Sequence, residues 1–141
     1  MLKTKLKDKM ASVQSVESWK EAVRLCAKPL LDQGYILPRY IDSMIANVEK
    51  NGPYIVIMPR VAIPHSRPEE GVLKTGLSLL KLEEAVEFPE GQMVELLFAL
   101  AANDNDQHMD LISSLSDLLM DQDAMKKMFA AKNVKELEAC L

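Results

Sequence analysis

VELLFALAA, residues 94–102, carries one charged side chain in nine positions and runs into the cluster Asn103-Asp104-Asn105-Asp106. A run this short and this apolar, ended by turn residues, reads as a strand central enough to be covered on both faces. Working back along the chain, VLKTGLSLLKL (72–82) reads as a second strand. The polar EEAVEFPEG between them (83–91) reads as a turn region. YIVIM (54–58), short, β-branched and bounded by prolines, reads as a third, buried strand, and the VAI of residues 61–63 as the end of an extended segment.

Helices flank this strand block on both sides. Ser18-Trp19-Lys20-Glu21 has the form of a capping box. Trp19, Ala22, Val23, Cys26 and Leu30 follow at helical spacing, and Gly34 suits the stop. Pro38 opens a second helix with Ile41, Met44, Ile45 and Val48 inward, ended by Asn51-Gly52-Pro53. After the Asn/Asp cluster a helix runs to about Met120 with Leu111, Ile112, Leu115, Leu118 and Leu119 as its stripe. Shorter helices are expected at 123–131 and 134–140, the last capped by Asn133. Residues 1–11 read as a frayed or loosely docked amphipathic lead-in. The order helices, strands, helices gives an α/β fold: a single domain over residues 1–141 with a mixed, mostly parallel sheet flanked by helices on both sides.

The bulk numbers exclude several classes. Apolar residues make up 48% and charged residues 27% of the 141, the balance of a globular chain with a real core. No apolar run approaches the roughly 20 residues that span a bilayer. The lysine-rich start has no continuous apolar segment of the kind a secretory signal needs, so a cytoplasmic location is expected. The net charge of −4 is unevenly spread: residues 82–125 hold eleven acids and no Lys or Arg. No concentrated basic stripe is evident, so nucleic acid is not an expected partner. Cys26 falls on a helix stripe and Cys140 lies at the C-terminus, without metal or redox spacing, and both read as reduced and structural.

Chemistry-bearing motifs are few. There is no glycine-rich phosphate loop, no HExxH and no GxSxG. The two histidines remain. His65 sits in VAIPHSRPEEGV (61–72), where Pro64 and Pro68 stiffen the chain on either side. A neutral imidazole is a nucleophile and proton carrier near pH 7. Ser66 and Arg67 bring a hydroxyl and a planar donor fork, groups that recognise phosphate oxygens. On local chemistry alone a nucleophile and an incidental histidine in a proline-bracketed turn stand level. His108 falls in the first turn of its helix on the apolar side, where helix-end N–H groups favour an anion. From the residues alone, the reading as a histidine hydrogen-bonded at the core edge stands ahead of it. A metal site from His65, His108 and Asp104 or Asp106 has only generic spacing, and none is assigned.

The stretches GPYIVIMPRVAIPHSRPEEGV, KTGLSLLKLEEAVEF and ANDNDQHMDLISSLSDLL, taken in order, resemble the IIA components of the sugar phosphotransferase system. The resemblance is to the mannitol–fructose type, and within it to the ascorbate-type branch, and runs from about Trp19 to the C-terminus. It implies a phosphotransferase in which His65 accepts a phosphoryl group from the histidine-containing phosphocarrier protein. The group then passes to a cysteine of a cognate IIB component, and so indirectly serves a membrane IIC permease for ascorbate or a related sugar or pentitol. His108 matches the second family histidine, which stabilises the phosphoryl group. No metal, nucleotide or other cofactor is implied. One departure stands out: mannitol-type members carry an arginine before the glutamate of the segment matching NVEKNG, and this chain has Val48-Glu49. Glu49 is therefore kept as a binding candidate, and Arg67, Arg60, Ser66 or backbone N–H groups are left to meet the phosphoryl charge. Ile63, Val61 and the apolar surface near His108 are expected to rim a shallow apolar depression, and the acidic 82–125 stretch to steer a basic partner. A regulatory module of the same fold, phosphorylated on His65 and acting by protein binding, is the alternative. The exposed edge of a mixed sheet could support a homodimer, though nothing demands one.

Overall fold

Five strands form one sheet in the order β1-β4-β5-β3-β2, and the computed structural model describes residues 2–141. The elements are α1 (Leu2–Leu6), β1 (Met10–Val13), α2 (Trp19–Asp32), α3 (Pro38–Asn51), β2 (Val56–Met58) and β3 (Arg60–Ala62). They continue with β4 (Gly76–Phe88), β5 (Gln92–Ala101), α4 (Asn105–Leu119), α5 (Gln122–Ala130) and α6 (Val134–Ala139). β5 is the middle strand, as its composition demands. Leu97, Ala99 and Ala101 face α2 and α3, while Leu96, Phe98 and Leu100 face α4, α5 and α6. A strand covered on both sides has no polar face to keep.

The sheet is mixed, but the parallel share is half. β1–β4 and β3–β5 are parallel, β4–β5 and β2–β3 antiparallel. β4 is the longest strand, and residues 83–88 of the expected turn region belong to it. Val86 and Phe88 alternate inward past a register shift, and only Pro89–Gly91 turns the chain. Three glutamates made this stretch look like a loop; they are the solvent side of a strand whose inward residues, Val86 and Phe88, still pack on the core. YIVIM is also reassigned: Ile55 is buried, but β2 is an edge strand with Ile57 half exposed.

The lead-in expected at residues 1–11 is, beyond Met1, which lies outside the described residues, an integral part of the fold. Leu6 is fully buried and β1 pairs in parallel with β4 from Met10↔Leu79 to Val13↔Leu82. Alternating lysines hid one buried leucine and a strand only four residues long.

The helix ends follow their caps. Ser18 Oγ accepts from the Glu21 N–H at 3.2 Å, and the Glu21 carboxylate accepts from the Glu17 N–H, one residue further out than a strict capping box. Asp104, Asp121 and Asn133 cap α4, α5 and α6 through side-chain oxygens. Cys26 lies in the α2 core with its thiol near the Leu97 carbonyl, and burial pushes its pKa up to about 12. No thiolate forms there near neutral pH, in keeping with a structural cysteine. Among the described residues no helix is long and apolar enough to cross a membrane.

Candidate functional site

Because β3 and β5 run parallel, both deliver the chain that follows them to the same end of the sheet. Residues 63–68 leave β3 there, and β5 leads into the N-terminus of α4. His65 and His108, 43 positions apart in sequence, thereby meet with ring centroids 5.7 Å apart. The start of antiparallel β4 lies at that end too. Thr75 Oγ1 accepts the Asn103 N–H at 3.0 Å and its hydroxyl donates to Gln107, so the K-T-G stretch ties the first turn of α4 to the sheet. Gly76 is required beside it: a Cβ there would stand 2.5 Å from the Tyr35 ring.

The imidazole of His65 is fixed in one tautomer. Its Nδ1 lies 2.7 Å from the Ile63 carbonyl oxygen, and since a carbonyl can only accept, Nδ1 carries the proton. Nε2 keeps its lone pair. The edge of the Tyr54 ring system meets the imidazole at 86° and 5.9 Å between centroids. Next along the chain, Ser66 Oγ shares a 2.7 Å hydrogen bond with Ser43 Oγ and accepts from Asn47 Nδ2 at 3.0 Å. The Leu100 N–H donates to the Pro64 carbonyl at 2.9 Å, and the Ser66 N–H donates to the Tyr40 hydroxyl at 2.9 Å.

His65, Ser66, Arg67 and His108 open into one cleft of about 530 Å³, together with Asn47, Asn51, Tyr54, the α4 cap Asp104 and Asn105. Arg67 is the single lysine or arginine among the lining residues. Burial, with the nearby His65 imidazole adding to it, lowers the pKa of His108 below the ordinary 6.5 and keeps it neutral at pH 7. A neutral His108 can still donate through one ring N–H. The Asp104 carboxylate is held by the Gln107 N–H at 2.8 Å and the Gln107 amide at 2.9 Å. Among the described residues no three His, Cys, Asp or Glu side chains converge in the manner of a metal site.

A cleft with one tautomer-locked imidazole, neutral donors and a single guanidinium suits a small tetrahedral anion attached to nitrogen. Comparison with known proteins meets that geometry. Residues 6–141 match the family described as the phosphoenolpyruvate-dependent sugar phosphotransferase system, EIIA 2. The chain belongs to that family. It is 40% identical to the mannitol-specific cryptic phosphotransferase enzyme IIA component of Escherichia coli K12, over 89% of this chain and 86% of that one. The solution structure of that E. coli protein superposes with a TM-score of 0.92 over 99% of this chain and 96% of the other. The ascorbate-specific EIIA component of E. coli K12 is 35% identical over 94% and 92% of the two chains. The E. coli mannitol IIA, solved in complex with its phosphorylated IIB, matches with a TM-score of 0.81 at 25% identity, over 94% and 93%. This chain is a sugar phosphotransferase-system IIA protein of the mannitol and ascorbate type, a phosphoryl carrier.

Within this IIA protein several expected site residues lie elsewhere. Glu49 points away from the cleft and pairs with Lys20 on α2 at 2.8 Å. The cleft face of α3 carries Ser43, Asn47 and Asn51 at a spacing of four, and position 49 stands about 200° round the helix from 47. Val48, the position at which the resemblance pointed to a missing arginine, is 1% exposed in the core. Arg60 is committed at the opposite end of β3, paired with Glu95 and stacked 3.9 Å from the Phe129 ring centroid. Ile63 and Val61 are buried beneath the loop rather than around it, and the cleft wall mixes polar and apolar surface instead of being apolar. Sequence reasoning missed Tyr40, Ser43, Asn47, Asn51 and Tyr54. The signal was present in the polar stripe 43-47-51, running beside the apolar stripe 41-44-45-48.

Proposed function

We propose that His65 Nε2 is the phosphoryl acceptor of this protein, taking the group from the phosphohistidine of the histidine-containing phosphocarrier protein. It then hands the group to a cysteine of a cognate IIB component for uptake of a sugar or sugar acid of the mannitol or ascorbate class. The observation that carries the reading is the 2.7 Å contact from Nδ1 to the Ile63 carbonyl. It puts the proton of the neutral ring on Nδ1 and leaves the Nε2 lone pair free without any base. The transfer is an in-line exchange: the P–N bond to the carrier imidazole breaks as the P–N bond to Nε2 forms. The Nδ1 proton stays on the Ile63 side throughout, where the carbonyl stabilises the partly cationic ring.

Between carriers of similar transfer potential the protein contributes alignment and charge compensation. Arg67 is the cation for the phosphoryl oxygens, Ser66 and Asn47 the neutral donors, and His108 an uncharged donor beside them. The N-terminus of α4, a 15-residue helix, adds its dipole and free N–H groups. On this reading the chain lies in the cytoplasm and both partners reach the cleft from there. In the test, purified protein is charged by phosphoenolpyruvate, enzyme I and the phosphocarrier, then mixed with IIB candidates of the mannitol and ascorbate classes. Chase of the label onto one IIB cysteine within seconds is expected. A charged protein that gives its label to neither class overturns the transport reading and favours a regulatory role.

A further inference from the structure

The β3–β5 pairing does not stop where β3 ends. The register Val61↔Leu96 and Ala62↔Leu97, carried forward, sets His65 opposite Leu100. In a parallel ladder the residue facing position 65 donates its N–H to the carbonyl of 64 and accepts at its own carbonyl from the N–H of 66. The first of these bonds is made, Leu100 N–H to Pro64 carbonyl at 2.9 Å. The second is not made directly. The Tyr40 hydroxyl stands in the gap, accepting from the Ser66 N–H at 2.9 Å and donating to the Leu100 carbonyl at 2.7 Å.

We propose that Tyr40 is a positioning residue for phosphoryl transfer, its hydroxyl inserted in the β3–β5 ladder so that the strand opens at His65 and presents Nε2 to the cleft. The inference rests on His65 being the acceptor. Pro64 works in the same direction, having no N–H to give β5. Freed from β5 on one side, the backbone turns so that the imidazole reaches back to the Ile63 carbonyl. That carbonyl lies on the β2 side of the chain, where the Ile63 N–H bonds the Ile55 carbonyl at 2.8 Å. Tyr40 itself cannot drift. It is fully buried, and the Gly71 backbone, at φ +134°, packs so closely that a Cβ would meet Tyr40 Cβ at 3.1 Å. Arg39 holds the same turn from α3, donating to the Glu69 carbonyl at 3.0 Å. Burial raises the Tyr40 pKa to about 12, so the hydroxyl keeps the proton it gives to Leu100 across the physiological range.

Tyr40→Phe keeps the ring and deletes the bridge. Ser66 and Leu100 then either pair directly, closing the ladder, or lose their partner, and the imidazole shifts in both cases. Misplacement of about 1 Å can cost on the order of 100-fold in rate. The expected result is a 10- to 100-fold loss in the rate constant for phosphoryl acceptance, with the KM for the phosphocarrier changed by less than about 2-fold. The imidazole ¹⁵N shifts of His65 are expected to move from a fixed Nδ1–H pattern toward tautomer averaging. Ser78→Ala is the control: it removes another buried hydroxyl, which donates to the Cys26 carbonyl at 2.7 Å, and should lower stability without touching rate or ¹⁵N pattern. Native rate and native ¹⁵N pattern in Tyr40→Phe would overturn the proposal. Wild-type protein that accepts no phosphoryl group would instead sink the acceptor assignment, and the ¹⁵N comparison would still decide the role of Tyr40. Should Tyr40→Phe not fold, amide exchange in the wild type decides: the Ser66 N–H is expected to be protected, and exchange at an open-loop rate contradicts the bridge.

Discussion

Arg67 and Arg60 are seven residues apart, both were candidates to meet the phosphoryl charge, and the fold sends them to opposite ends of β3. Arg67→Ala should lower the phosphoryl-acceptance rate by about 100-fold, the order of effect found when one preorganised donor is lost. Arg60→Ala should leave that rate unchanged, and steady-state labelling of the two variants separates them. His108 allows a second prediction. Its pKa is lowered by folding, so the unfolded chain binds the proton more readily. The stability this neutral imidazole contributes is therefore complete above pH 6.5 and is lost as pH falls through the lowered folded value. Denaturant midpoints from pH 7.5 to 5 should fall less steeply in His108→Gln than in the wild type. At this scale the sequence led to the cleft residues His65, Ser66, Arg67 and His108 through the resemblance, since local chemistry alone left each histidine with a structural reading beside the functional one. Glu49 was not one of them, because a resemblance fixes the segment while helical phase decides which side chain faces the cleft.

The helices were legible as elements because their caps and stripes are local: Ser18, Pro38 and Asn133 each mark an end that the structure reproduces, and α4 starts at Asn105, inside the Asn/Asp cluster rather than after it. Strands were less so, since what makes residues 83–88 a strand is a partner, β5, rather than their own pattern. The bulge that places Glu95 between Val94 and Leu96, and the irregular pairing opposite it, cannot be seen from one sequence. Gly76 tests the element scale. Gly76→Ala pushes a methyl to within 2.5 Å of the Tyr35 ring at the start of β4. A loss of about 1–3 kcal/mol is expected from overpacking, read as a lower denaturant midpoint. Gly34→Ala, with nothing within 4 Å of its Cβ, should cost only the strain of its positive φ. A larger loss at Gly34 than at Gly76 would contradict this account of how Tyr35 seats β4.

For the molecule as a whole, the function follows from topology. Two parallel strands that end side by side bring a proline-stiffened loop and a helix N-terminus into one cleft, and no other arrangement of the chain is needed to pair His65 with His108. The acidic stretch from Leu82 to Met125 is divided: Asp104, Asp106 and Asp110 stand at the start of α4 beside the cleft, while Glu83, Glu84, Glu87, Glu90 and Glu95 lie at the far end of the sheet. If it steers a basic partner surface, the second-order rate of phosphoryl acceptance should fall severalfold between low and high ionic strength. A rate indifferent to salt would remove the steering role and leave the site untouched. The central claim is narrower, that His65 is the residue charged. Intact-mass analysis after incubation with phosphoenolpyruvate, enzyme I and the phosphocarrier tests it most directly. The account expects one acid-labile, base-stable phosphoryl group on the wild-type protein and none on His65→Ala; a folded His65→Ala protein that still takes up the group would contradict it.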